Sequence, residues 1–144
     1  MEEVEQISVF SENKPGKLKR VTEILKEKGI NIRAITIASS NSYGIIKILV
    51  NNPLKAYQAL KEKGLSVALI PVLAVEIEDK PGGLSKIAEV LKEHNINVED
   101  AYGFVIQSHN KAVFIMKVED IKKTRLILEG ENIFLLTRRD LYEI

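Results

Sequence analysis

The sequence predicts an α+β fold in which one βαββαβ module is used twice. Three observations carry that expectation. The stretch "SENKPGKLKRVTEIL" near the start returns in the second half as "IEDKPGGLSKIAEVL". Segments of period-two alternation and segments of helical spacing follow one another in the same order around both stretches. The punctuation by Gly, Pro and Asn falls at matching places.

Setting Lys14 on Lys80, an offset of 66, aligns Lys14 to Ile32 with Lys80 to Val98, and ten of these 19 positions are identical. Most of the others are conservative, such as Val21 with Ile87 and Ile24 with Val90. Further on the offset becomes 68, which lays "IIKILVNNPLKAYQAL" over "VFIMKVEDIKKTRLIL". The module boundaries predicted from this are 1–71 and 72–144.

Each element then has a local reason. In "QISVFSE", Ile7 and Val9 alternate with polar neighbours, the pattern of a half-buried strand. After the Lys-Pro-Gly turn, Leu18, Val21, Ile24, Leu25 and Lys28 fall at helical spacing, and Gly29 supplies a left-handed stop. "INIRAITIA" and "GIIKILV" are rich in Ile and Val and predict two strands joined by the polar loop "SSNSY". Asn52 before Pro53 is an N-cap and first-turn signal; Ala56, Tyr57 and Leu60 form the inner stripe of the helix that Gly64 ends. "SVALIP" is the fourth strand. The second copy repeats the series as Leu73–Ile77, Leu84–Leu91, Val98–Gln107, Ala112–Val118, Ile121–Leu128 and a final strand Ile133–Leu141, with Asn95 where the first copy has Gly29. Two helices on one face of an antiparallel four-stranded sheet is the ferredoxin-like arrangement.

Composition narrows the function. The 144 residues carry 21 basic and 20 acidic side chains, a net charge of +1, which gives no footprint for nucleic acid or an anionic membrane. There is no cysteine, so disulfides, thiolate metal sites and cysteine nucleophiles are excluded. No apolar run reaches the roughly 20 residues of a membrane span, and the acidic amino terminus does not read as a signal peptide, so a cytoplasmic protein is expected. Glycine-rich nucleotide loops and nucleophile elbows are missing. His94 and His109 fall in polar, solvated surroundings, and no metal or other cofactor is expected. The chain reads as non-enzymatic.

The Lys-Pro-Gly turns stand apart. Each lies where a strand feeds a helix amino terminus, so backbone N–H groups around Gly16, Lys17 and Leu18, or Gly82, Gly83 and Leu84, lack intrahelical partners and can take up an anion. Asn13 or Asp79 offers an oxygen to an ammonium group just before the turn. Asn31 or Asn97 opens the next strand with an amide that both donates and accepts. A free α-amino acid carries both charges that this set would meet. A tight turn flanked by structural caps would use the same residues.

The strand followed by "ENKPGKLKRVTEILKEKGINI", and again by "EDKPGGLSKIAEVLKEHNINV", resembles the ACT domain, a small regulatory module that binds amino acids. The resemblance spans the whole chain as a tandem pair. It implies an amino-acid effector bound at an interface between modules, and sheets joined side by side into eight antiparallel strands. Carried over by position, it implies ligand contacts at Asn13, Gly16, Leu18, Asn31 and Ile32, and at Asp79, Gly82, Leu84, Asn97 and Val98. Gly83 joins them because a second glycine lets a ligand approach the backbone, whereas Lys17 holds that place in the first copy. Serine-responsive members often carry an imidazole where this chain has Ser11 and Ile77, so the resemblance does not point to serine. Ile77, Leu84 and Tyr102 suit an aliphatic or aromatic ligand side chain.

The expectation is a sensor for a small-molecule amino acid, working as a homodimer because small cores and open sheet edges favour pairing. The alternative from another class is an interaction subunit that modulates a separate metabolic enzyme without holding a ligand.

Overall fold

The computed structural model of the chain describes residues 3–142, so the outer limits of the predicted modules, 1 and 144, lie outside the described residues. Along the chain come β1 (Val4–Glu12), α1 (Lys17–Glu27), β2 (Ile32–Ser40), β3 (Tyr43–Val50), α2 (Pro53–Glu62), β4 (Ser66–Glu78), α3 (Gly83–Glu93), β5 (Asp100–Gln107), β6 (Lys111–Lys117), α4 (Ile121–Gly130) and α5 (Arg138–Tyr142). Two compact units contain them. The first is Glu5–Ile70; the second takes the chain from Pro71 onward together with residues up to Val4.

In the first unit the strand order is β2-β3-β1-β4. Antiparallel ladders set Ile7 opposite Ile48, Val9 opposite Ile46, and Ile35 opposite Ile48. Alternation therefore delivers Ile7, Val9, Ile46, Ile48 and Val50 to one face, where Val21, Ile24 and Leu25 of α1 and Ala56, Ala59 and Leu60 of α2 close the core. The stripe read from the sequence ends lower than expected: Leu18 is 42% exposed, because it sits on the first turn of α1, beyond the sheet's reach. Asn52 caps α2 by accepting the Lys55 N–H at 3.2 Å, and Pro53 fills the first helical position.

The second unit repeats the plan with the order β4-β6-β5. Leu73 and Val75 of β4, with Met116 and Val118, meet Ile87, Val90 and Leu91 of α3 and Leu128 of α4. Asp120 caps α4 through the Lys123 N–H at 3.0 Å. Asn95 does take the left-handed conformation that Gly29 takes in the first copy, with φ 55° against 67°. Glu3 forms a two-pronged ion pair with Arg125 of α4, which ties the start of the chain to this unit.

Six strands form among the described residues, not the eight implied by the side-by-side resemblance. Two local causes account for the difference. "SVALIP" and "VLAVEIE" do not break at Pro71 but run on as the thirteen-residue β4. Proline's fixed φ suits an extended chain, and its missing N–H is tolerated where the ladder changes partners. The expected last strand, Ile133–Leu141, shrinks to one bridge between Leu135 and Val75. Its remainder turns into α5, because Thr137 and Asp140 cap one another: the Thr137 N–H donates to the Asp140 carboxylate at 3.0 Å and the Asp140 N–H to the Thr137 hydroxyl at 3.1 Å.

Each unit has a core of its own, and truncating one should unfold it. Leu60→Ala and Leu128→Ala, both at fully buried positions, are each expected to cost about 2–5 kcal/mol in chemical denaturation. A loss well under 1 kcal/mol at either site would mean that the described packing is not the packing in solution.

Candidate functional site

Both Lys-Pro-Gly turns end in a left-handed glycine that is also the helix N-cap: Gly16 at φ 91° before α1 and Gly82 at φ 89° before α3. No side chain caps either helix, in contrast to α2 and α4. Each glycine carbonyl starts its helix by accepting from Arg20 at 3.0 Å or Lys86 at 3.1 Å. The lysine of the turn folds back on the preceding strand, pairing Lys14 with Glu12 at 2.5 Å and Lys80 with Glu78 at 2.6 Å. Hydrogen bonding to that lysine, then its charge, holds each glutamate below the ordinary 4.5.

A cavity lies beside each turn. The first, about 420 Å³, is lined by Ser11, Glu12, Lys17, Arg20, Val21 and Leu65; the second, about 430 Å³, by Ile77, Glu78, Gly82, Gly83, Lys86 and Ile133. The repeat offsets of 66 and 68 superimpose these linings, so both copies have kept a hollow at the same place. In the first, Arg20 is committed, donating to the Lys63 carbonyl at 2.7 Å. Its counterpart Lys86 forms no ion pair among the described residues, though its charge acts on Glu78, while Glu78 is held by Lys80 and Glu76 by Lys111 at 3.1 Å. The second cavity therefore offers, among the described residues, the Lys86 ammonium outside any direct ion pair, beside a helix start that no side chain caps.

The residues named from the sequence divide into groups. Gly82 and Gly83 line the second cavity, and Asn13, Gly16 and Asp79 stand in the turns that border the two cavities. Leu18 and Leu84 are on the first helical turns, 42% and 45% exposed. Asn31 and Ile32 lie elsewhere, at a separate hollow shared with Thr22, Lys26 and Gly29. An eleven-residue helix, a span of about 16 Å, separates that end of the unit from the turn. Asn97 and Val98 sit correspondingly beyond α3, and Val98 precedes β5 rather than opening it. Within a unit the asparagine and the turn therefore do not meet. Tyr102 is paired opposite Ile115 and does not line the cavity; burial, then the charges of Asp100 and Tyr142, push its hydroxyl well up from the ordinary tyrosine range.

Gly83 has a reason for its size within the turn itself, besides the ligand approach expected of it. A Cβ there would lie 2.1 Å from the Glu78 carbonyl oxygen, so the turn itself already fills that space. Lys86, Arg20 and Lys111 escaped the sequence reading. Their signal was the repeat offset, which places Arg20 on Lys86 one turn into each helix. Among the described residues no His, Cys, Asp or Glu cluster could hold a metal ion, and no helix is long and apolar enough to cross a membrane.

A family model for the ACT domain pair matches residues 2–144. Among solved structures, protein BT0572 from Bacteroides thetaiotaomicron superposes with a TM-score of 0.92 at 32% identity, over 99% of this chain and 97% of that one. The ligand-free regulatory subunit of aspartate kinase from Thermus thermophilus superposes at 0.64 with 20% identity, over 88% and 91% of the two chains. The regulatory subunit from Thermus flavus gives 0.60 at 18%, over 87% and 88%. At these identities the Thermus subunits share the fold. No curated protein matches the chain.

The turns yield two expectations. Gly83→Ala should lower the melting temperature by several degrees, since backbone must move to admit the methyl group, whereas Ala at Gly103, which faces only Val113 O at 3.2 Å, should cost less. Equal melting of the two variants would overturn the close-approach account. The lowered carboxyl groups of Glu12 and Glu78 contribute stability that is present above 4.5 and lost as pH falls through their folded values below it. Melting temperature should therefore drop less steeply below pH 4.5 in the Glu12→Gln, Glu78→Gln double variant than in the parent. Both pairs are exposed, so the difference is small.

Proposed function

The chain belongs to the ACT domain family as a domain pair, and from that premise we propose that it is a non-catalytic regulatory sensor of a small amino acid. One observation carries the reading: both copies of the repeat keep a cavity of about the same volume against a helix start that no side chain caps. The second cavity is the preferred site. There the ligand carboxylate would be met by the Leu84 and Ser85 N–H groups, the Gly83 N–H being taken by the Lys80 carbonyl at 3.0 Å, and by Lys86, and its ammonium by Asp79. Ile77 and Ile133 would carry an apolar side chain. In the first module Asn13, Gly16 and Leu18 take the corresponding parts.

Asn31, Ile32, Asn97 and Val98 join a head group bound at a turn only when another module brings them to it, because their own turn is a helix length away. That requirement supports a homodimer in which one copy's asparagine completes the other's site. A separate metabolic enzyme is the regulated partner in this scheme.

A thermal scan against the twenty common amino acids tests the proposal. A ligand at about a hundred times its dissociation constant should add about 2.7 kcal/mol, several degrees for a chain of this size. Asn97→Ala should then weaken that ligand about five- to 150-fold, the equivalent of 1–3 kcal/mol, and leave melting of the free protein unchanged. No stabilisation by any of the twenty would remove the sensor reading and leave an interaction subunit that works without a ligand.

A further inference from the structure

We infer that Asp79 is a latch, fixing the second turn to the tip of the β5–β6 hairpin through a side-chain bond that the first copy lacks. The latch follows from geometry alone; only its bearing on ligand binding rests on the function proposed above.

Two hydrogen bonds of opposite sense make the latch. The Asp79 N–H donates to the Asn110 carbonyl at 3.0 Å, and the Asp79 carboxylate accepts the His109 N–H at 2.6 Å. The second bond is short because the acceptor is charged. His109 holds a left-handed φ of 61°, an uncommon conformation for a residue with a Cβ, and one that other contacts must maintain. Asn110 is held in turn, its side-chain amide donating to the Gln107 side chain at 2.8 Å and its backbone N–H to the Gln107 carbonyl at 2.9 Å.

The first copy has half of this. The Asn13 N–H donates to the Ser42 carbonyl at 2.7 Å, the counterpart of the Asp79–Asn110 bond. Asn41 holds φ 57° at the position of His109, yet among the described residues no hydrogen bond links its N–H to the Asn13 side chain. The residues concerned differ between the copies at Asn13 against Asp79, Asn41 against His109 and Ser42 against Asn110, and of these only Asp79 supplies the charged acceptor of the side-chain bond.

The latch spans the second cavity. Glu78, Lys80, Gly82 and Gly83 line it from the turn, and Asn110 and Lys111 from the hairpin, so Asp79 joins its two walls. In both copies the strand ladder and one further backbone bond join turn to hairpin, and the second cavity has the Asp79 carboxylate bond in addition, so a ligand entering there finds one more constraint already in place. One Asp79 oxygen is committed to His109, which leaves the other for an ammonium group.

Amide NMR on the ligand-free protein tests the latch directly. The His109 amide proton should resonate far downfield and exchange with solvent about tenfold or more slowly than that of Asn41. Asp79→Ala should abolish this protection, and Asn13→Asp should confer it on Asn41 while leaving His109 as it was. Should Asp79→Ala fail to fold, the gain at Asn41 in Asn13→Asp decides alone. Equal exchange of the two amides in the parent, or no gain at Asn41, would overturn the latch. Absence of amino-acid binding, with this pattern intact, would remove only the sensor reading.

Discussion

Where β1 runs into α1 and β4 into α3, the chain turns through one residue with φ close to +90° immediately before the helix, whereas the entries to α2 and α4 pass through Asn52 and Asp120 at negative φ. Glycine takes that conformation cheaply, and glycine has no side-chain oxygen. The requirement for Gly16 and Gly82 therefore settles that α1 and α3 begin without a side-chain cap, although α2 and α4 in the same units begin with Asn52 and Asp120. The bare helix starts follow from that backbone constraint, and beside them lie the two hollows and the lysines paired with Glu12 and Glu78.

Repetition made the fold legible. An isolated Lys-Pro-Gly would have passed for an ordinary turn, but its return with matching helix stripes, left-handed stops and strand pairs fixed the element order of the first unit and that of the second as far as α4. What escaped the sequence depended on competition between local and longer-range forces. Pro71 looked like a break, yet the extended chain on both sides absorbs it. Residues 133–141 alternate well enough for a strand, but the mutual capping of Thr137 and Asp140 costs nothing in distant contacts and wins.

The candidate site was read in part. Proximity along the chain suggested that the turn and the asparagine after the helix act together, and the rigid length of α1 or α3 keeps them apart within a unit. Asp79 shows what spacing leaves out: besides the ligand-facing part expected of it, one of its oxygens has a partner thirty residues away that no sequence spacing announces. Gly83, expected to admit a ligand, is also required by a carbonyl oxygen of its own turn. Sequence identifies which residues lack local partners; tertiary contacts decide how many of them stay available.

The continuity of β4 bears on descent. Residues up to Ile70 complete the first unit and those from Pro71 open the second, with no linker to mark the former joint between copies. Cutting the chain there would leave each half with a severed strand and unpaired edge groups that invite association with other chains. A gene duplication fused in this way resists fission. The two copies are then inherited together, and each is free to drift only as far as the shared strand allows, which lets Asn13 and Asp79 part ways while the architecture around them stays common.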